Sequence, residues 1–248
     1  MKCRSKLAVL VAGLALGCAS NGWNRRGSDP KPIDDALLEH VSEADYRSIN
    51  EARASLPERR DQVDFARREL EVAKADLDIA KEGTDVADAM LDQAEERAEV
   101  ARGVPDRDSD AAAEEVLQAH SYRRWVDSKI RQREAKVEAA KANVEAKEAE
   151  LALEEAKVEL AKAKAVADVD LPDTDDVDIG AYQLAVHVKE DVLADAQAEL
   201  EVARANVDAR ERLVTESADA VPARYRVEVE ESEQREKVVD RDGDGNIE

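Results

Sequence analysis

Residues 116–167 read VLQAHSYRRWVDSKIRQREAKVEAAKANVEAKEAELALEEAKVELAKAKAVA and decide the fold. The stretch has neither glycine nor proline, and it consists mainly of alanine, leucine, valine and charged residues. All of these except valine are strong helix formers. Apolar residues recur at alternating steps of three and four, which is the spacing of one face of an α-helix. The sequence therefore predicts one long helix.

This helix carries two apolar stripes, which at about 100° per residue lie on roughly opposite sides. The first stripe comprises Val116, Ala119, Val126, Ile130, Val137, Ala140, Val144, Leu151, Val158, Ala161 and Ala165. The second comprises Ala135, Ala139, Ala142, Ala146, Ala149, Leu153, Ala156, Leu160, Ala163 and Ala167. A helix with two apolar sides needs two partners.

The first partner precedes it in the chain. A seam of the same spacing comprises Ile49, Ala52, Leu56, Val63, Ala66, Leu70, Ala73, Leu77, Ala80, Thr84, Ala87, Leu91, Ala94, Ala98 and Ala101. The short polar turn 103–110 joins helix 57–102 to helix 110–167, so the two are predicted to be antiparallel neighbours. Gly83 either marks a bend in the earlier helix or is tolerated within it.

The second partner follows. Helix 179–218 carries Ile179, Tyr182, Val186, Leu193, Ala196, Leu200, Ala203, Val207 and Val214 in register. Folded back, it reaches about residue 130, close to where the second stripe begins. The fold class predicted for residues 34–218 is all-α, an elongated, antiparallel three-helix coiled coil. Part of a stripe could instead pair with another chain, which leaves a homo-oligomer open.

A shorter helix, 34–55, is predicted ahead of these three. Ser55 is placed as the N-cap of the next helix, with Pro57 in its first turn and Glu58 where a capping acid belongs. Because the seam keeps its phase across Pro57, we expect either a kink or two nearly collinear helices.

The N-terminus predicts export and lipidation. Residues 1–17 combine Lys2, Arg4 and Lys6 with an apolar run that is shorter than the about twenty residues needed to span a bilayer. The run ends in Leu14-Ala15-Leu16-Gly17-Cys18, which resembles the bacterial lipobox, although Ala15 replaces the usual leucine. The resemblance implies acylation of Cys18 after cleavage of the signal peptide.

Residues 18–33 are predicted to be a lipidated, flexible tether. Trp23, Arg25 and Arg26 would either lie at lipid headgroups or belong to an unstructured linker. The lipobox and the alanine-rich helices together resemble coiled-coil envelope lipoproteins of Gram-negative bacteria. That resemblance implies an outer-membrane address facing the periplasm, because Ala19 replaces the aspartate that retains such proteins in the inner membrane.

The tail 219–248 is acidic, and its last nine residues resemble the start of an EF-hand calcium loop. The candidate ligands are Asp240, Asp242, Asp244, Asn246 and Glu248, with Gly245 at the turn. Alternate carboxylates converge on a hard cation at this spacing. The sequence stops before the bidentate glutamate of that loop, so weak calcium binding and a solvated acidic tail both stay open.

The remaining candidate sites give weaker indications of function. His40, His120 and His187 share no metal-ligand spacing, and the Asp-rich loop 168–178 either attracts divalent cations or is a solvated loop. Trp125 is predicted to cover the end of the 57–102 and 110–167 pair. The chain has 248 residues and a net charge of −22. This acidity argues against a nucleic-acid partner.

The leading functional expectation is a lipid-anchored, rod-like spacer or scaffold protein rather than an enzyme, with no required cofactor. Two alternatives stay open. One is an accessory subunit of an envelope transport or secretion complex with protein partners along the rod, and the other is a weak calcium-responsive binding module.

Overall fold

A computed structural model describes residues 29–103, 108–167, 169 and 177–222. This part of the chain is all-helical, and its four α-helices pack against one another. After a 3-10 helix, Asp35–His40, come α1 (Glu43–Arg53), α2 (Leu56–Gly103), α3 (Ser109–Ala167) and α4 (Ile179–Asp219). The predicted all-α class is confirmed. At 1.5 Å per residue, α3 is about 90 Å long.

Helix α3 is the central element, because α1, α2 and α4 all pack against it. Every residue of its first stripe is buried or half-buried, and in the second stripe only Ala167 is exposed. The seam residues of α2 and α4 are likewise buried or half-buried. Alanines at these positions let neighbouring helix axes approach to about 8 Å.

Ion pairs show the relative direction of α2 and α3. Arg59 pairs with Glu150 at 2.7 Å near the start of α2, and Arg97 pairs with Glu115 at 2.6 Å near its end. Partners therefore have lower numbers in α3 as the numbers in α2 rise. This is the order for two helices that run in opposite directions.

The predicted helix 34–55 is wrong in detail, because the structure divides it into the 3-10 helix and α1. Between them Val41 is extended, and Ser42 caps α1 by accepting a hydrogen bond from the backbone N–H of Asp45 at 3.2 Å. The Ser42 hydroxyl also donates to the Asp45 carboxylate at 2.6 Å. A capped helix start of this kind competes with continuation of the preceding turn.

Two further boundary predictions can be compared with the structure. A two-residue turn, 54–55, separates α1 from α2, and Pro57 is the second residue of α2. Ser55 directly precedes α2, as predicted for its N-cap, and its carbonyl accepts a hydrogen bond from the N–H of Arg59 at 3.1 Å. Its hydroxyl donates to Glu154 of α3 at 3.1 Å. Gly83 lies within the unbroken helix α2.

Candidate functional site

Residues 29–41, which we call the N-terminal strap, lie against the C-terminal end of α3 and the start of α4. The backbone N–H of Ile33 donates to Glu159 at 2.8 Å. The hydroxyl of Tyr182 donates to the carbonyl oxygen of Lys31 at 2.6 Å. Both hydrogen bonds are made to backbone atoms of the strap. They therefore fix the position of its main chain, whatever its side chains are.

A buried cation fixes the strap beside these bonds. Lys162 is only 8% exposed, and its ammonium group contacts Glu159 at 2.9 Å and Asp35 of the strap at 2.7 Å. Arg53 of α1 contacts the same Asp35 oxygen at 3.0 Å. A lysine this deeply buried needs such partners, because an unpaired charge in an apolar setting is costly.

The electrostatics of the cluster favour its charged form. Burial lowers the pKa of Lys162, but the hydrogen bonds to Asp35 and Glu159 outweigh burial, so its pKa lies above the ordinary value. The hydrogen bond from Lys162 is the main reason why the pKa of Asp35 lies below its usual range. The pKa of Tyr182 is raised, first by burial and then by the Glu159 charge.

Apolar contacts surround this charged cluster. Ile33, Leu38 and Ile49 are buried with Ala163, Ala165, Val166 and Tyr182 in one hydrophobic cluster. It joins the strap, α1, α3 and α4. A second ion pair, from Lys189 to Asp29 at 3.1 Å, lies farther out on the strap. The arrangement is a clasp that ties residues 29–41 to one end of the helices. The predicted flexible tether, 18–33, is therefore wrong for residues 29–33, because these contacts hold them in place.

A second cluster lies where α4 ends. Trp125 and Tyr122 pack with ring centroids 5.9 Å apart, and the Lys129 ammonium lies 4.9 Å from the Trp125 ring. Val221, just past α4, is buried in the same cluster. The cluster also includes Ala87 and Met90 of α2. Trp125 therefore packs over the α2–α3 pair, as predicted, but the contribution from the end of α4 was not predicted.

The predicted lipidation and calcium-binding residues lie outside the part of the chain that the structure describes. Cys18, Trp23, Arg25 and Arg26 lie outside the described residues, as do Asp240, Asp242, Asp244, Gly245, Asn246 and Glu248. No group of three or more His, Cys, Asp or Glu residues suited to a metal ion occurs among the residues with described positions.

The structure describes all three histidines but only part of the Asp-rich loop. His40 ends the 3-10 helix, whereas His120 and His187 belong to α3 and α4. Of the loop 168–178, the structure describes only residues 169, 177 and 178. Asp178 caps α4 by accepting from the N–H of Gly180 at 2.9 Å.

The sequence reasoning missed Lys162, Glu159 and Asp35. Glu159 and Lys162 are three residues apart on a helix, which is also the spacing of an ordinary surface ion pair. The one available signal was Lys162 itself, because it lies between Ala161 and Ala163 and so borders both apolar stripes.

Comparison with protein-family models, curated proteins and solved structures finds no match to this chain. In the described portion of the chain, no helix combines the length and the apolar character that crossing a membrane requires.

Proposed function

We propose that this chain is a lipid-anchored structural protein of the outer membrane, a rod-like spacer that faces the periplasm. Its helices would form an antiparallel three-helix coiled coil. Acylated Cys18 would hold one end at the bilayer, since several acyl chains, at about 0.8 kcal/mol per buried methylene, give a stable anchor.

The clasp is the observation that carries the proposal. Only ten residues separate Cys18 from Asp29, where the strap begins. Because the strap is fixed to α3 and α4, a load on the anchor would pass directly into the helices. The end of α3 near Ala167 would then lie toward the membrane, and the turn between α2 and α3 would project away from it.

Fatty-acid labelling tests the anchor. Cells would be labelled with a fatty-acid analogue and fractionated, comparing the native chain with Cys18→Ser. We expect label and membrane association in the native chain and loss of both in the variant. Cys3→Ser is the matched control, because Cys3 precedes the predicted cleavage point, and it should retain both. Label that persists in Cys18→Ser would contradict the proposal.

A further inference from the structure

An exposed apolar row runs along α2, outside its packed seam. Phe65, Val72, Val86 and Val100 are 56%, 63%, 51% and 46% exposed. All four lie on one seven-residue repeat, in which half-buried Ile79 occupies the third position and exposed Gln93 interrupts the apolar series at the fifth. The row spans 36 residues, or about 54 Å of helix. In a coiled coil a second helix packs over two apolar positions per seven residues, and this row supplies one of the two.

An acidic row runs beside the apolar row. The six residues that each precede a member of the repeat are all acidic and all exposed, namely Asp64, Glu71, Asp78, Asp85, Asp92 and Glu99. In a coiled coil this is the position that contacts the partner helix across the seam and selects it by charge.

The two halves of the acidic row differ in their own pairing. In the first half the acids pair with bases three residues later, as Asp78 does with Lys81 at 3.2 Å. In the second half those positions are Asp88, Glu95 and Arg102, so only Asp85 and Asp92 lack a base there. Glu82 and Glu96 add further negative charge on the side of the row that faces away from the core.

The apolar and acidic rows together indicate what kind of helix could pack on this face of α2. A second copy would set one acidic row against the other if the two α2 helices were antiparallel, and like charges at these positions disfavour pairing. Near the start of the row, Phe65 and Val72 line a groove between α2 and α3 together with Arg68, Arg133 and Lys136. The basic flanks of a partner are therefore expected opposite the second half of the row. The groove leaves room for an apolar side chain of a partner.

We propose that the exposed face of α2, residues 64–100, binds an amphipathic helix of a partner protein that has an apolar seam flanked by lysine or arginine. This binding surface is independent of the lipid anchor. Complementary charge would fix the partner's register and speed its association, and the apolar row would supply most of the affinity.

The test uses the purified full chain and two synthetic helical peptides. Both have the same apolar seam, but one carries lysine and the other glutamate at the flanking positions. We expect saturable binding of the lysine peptide, weakened by salt, and none of the glutamate peptide. Non-saturable binding, or equal binding of both peptides, would overturn the proposal.

Variants locate the site. Val72→Ser, Val86→Ser and Val100→Ser together should weaken binding about tenfold or more. The matched control is Leu184→Ser, Val202→Ser and Leu213→Ser on α4, three residues of similar exposure, 63%, 71% and 47%. This control should change the dissociation constant less than about threefold. Equal effects of the two triple variants would refute a site on α2.

Charge variants test whether the acidic row of α2 binds the peptide specifically or whether the overall negative charge of the chain is enough. Asp85→Asn, Asp92→Asn and Glu99→Gln together should reduce both affinity and its salt dependence. Asp195→Asn, Glu199→Gln and Glu201→Gln on α4 change the net charge equally and should have little effect. Sedimentation and circular dichroism establish that each variant keeps its fold.

Sedimentation of the native chain also tests for self-association. If the native chain self-associates and the three α2 valine substitutions abolish this, a second copy covers the row and the proposal is overturned.

Discussion

Tyr182 of α4 donates a hydrogen bond to the carbonyl oxygen of Lys31, a residue 151 positions earlier in the chain. Their contact makes the strap and the start of α4 one packed unit, although α1, α2 and α3 all lie between them in sequence. Lys162 reinforces this contact from α3.

The Tyr182 bond can be removed without removing the ring. Tyr182→Phe should lower the free energy of unfolding by about 1 kcal/mol, because it leaves the Lys31 carbonyl without this donor. Amide exchange across residues 31–38 should rise in the variant. Tyr46→Phe, at a residue 45% exposed, is the control and should change neither quantity. Unchanged exchange in Tyr182→Phe would mean that the strap does not depend on this bond.

Removal of the buried cation should be more costly. Lys162→Met keeps most of the side-chain volume but leaves Glu159 without its cation and Asp35 with Arg53 alone. We expect a loss of about 1–3 kcal/mol, with protease sensitivity concentrated in the strap. Lys164→Met, at an exposed position of the same helix, should be neutral. Protection of the strap equal to that of the native chain would contradict this role for Lys162.

Acid should release the strap. Because the pKa of Asp35 is lower in the folded state than in the unfolded state, its contribution to stability is present above the unfolded value of about 3.9. The contribution disappears as the pH falls through the lower folded value. The difference in unfolding free energy between the native chain and Asp35→Asn should therefore be constant near neutral pH and shrink in acid. A difference that is the same at all pH values would exclude this linkage.

The contribution of Lys162 to the free energy of unfolding should have the opposite pH dependence, with a loss at high pH. Its pKa is raised in the folded state, so its contribution is complete below the unfolded value of about 10.4. The contribution is lost as the pH rises through the higher folded value. Chemical denaturation of the native chain and Lys162→Met should therefore converge only in strong alkali, and convergence near neutral pH would contradict the assignment.

Gly83 offers a gain in stability. A Cβ atom there would lie 3.9 Å from a Val126 methyl group, an ordinary contact, and the residue is inside α2. Gly83→Ala should therefore raise the free energy of unfolding by about 0.5–1 kcal/mol. Gly180→Ala is the contrasting variant, because its Cβ would come within 3.0 Å of the capping Asp178 oxygen. It should give no gain, and both effects can be measured by thermal unfolding.

Calcium binding by the tail is tested by calorimetry on the chain with and without residues 240–248. If the Asp240–Glu248 segment is a partial calcium loop, we expect weak heats, at about millimolar calcium, that vanish in the truncated chain. Heats that are equal in both forms would assign any binding to other carboxylates.

Periodicity predicted the helices well, because Ala87, Val126 and Leu200 obey a repeat that a packed helix must show. It could not predict how the strap docks, since Ile33 and Asp35 precede the first apolar repeat and their docking follows from contacts more than a hundred residues away. Nor could it place Val221 beside Trp125, because a single residue past the end of α4 carries no repeat. The lipid and calcium assignments come from motifs at the two ends and stay predictions.

The clasp also imposes an order of assembly. The strap is synthesised before α1 and α2, but Lys162 and Tyr182 are made much later, so it has no docking site while α1 and α2 are synthesised. The α2–α3 pair needs only a short turn to form, whereas closing the strap joins the two ends of a loop of more than 120 residues and carries a larger entropic cost. We therefore expect the strap to dock after the α2–α3 pair has formed.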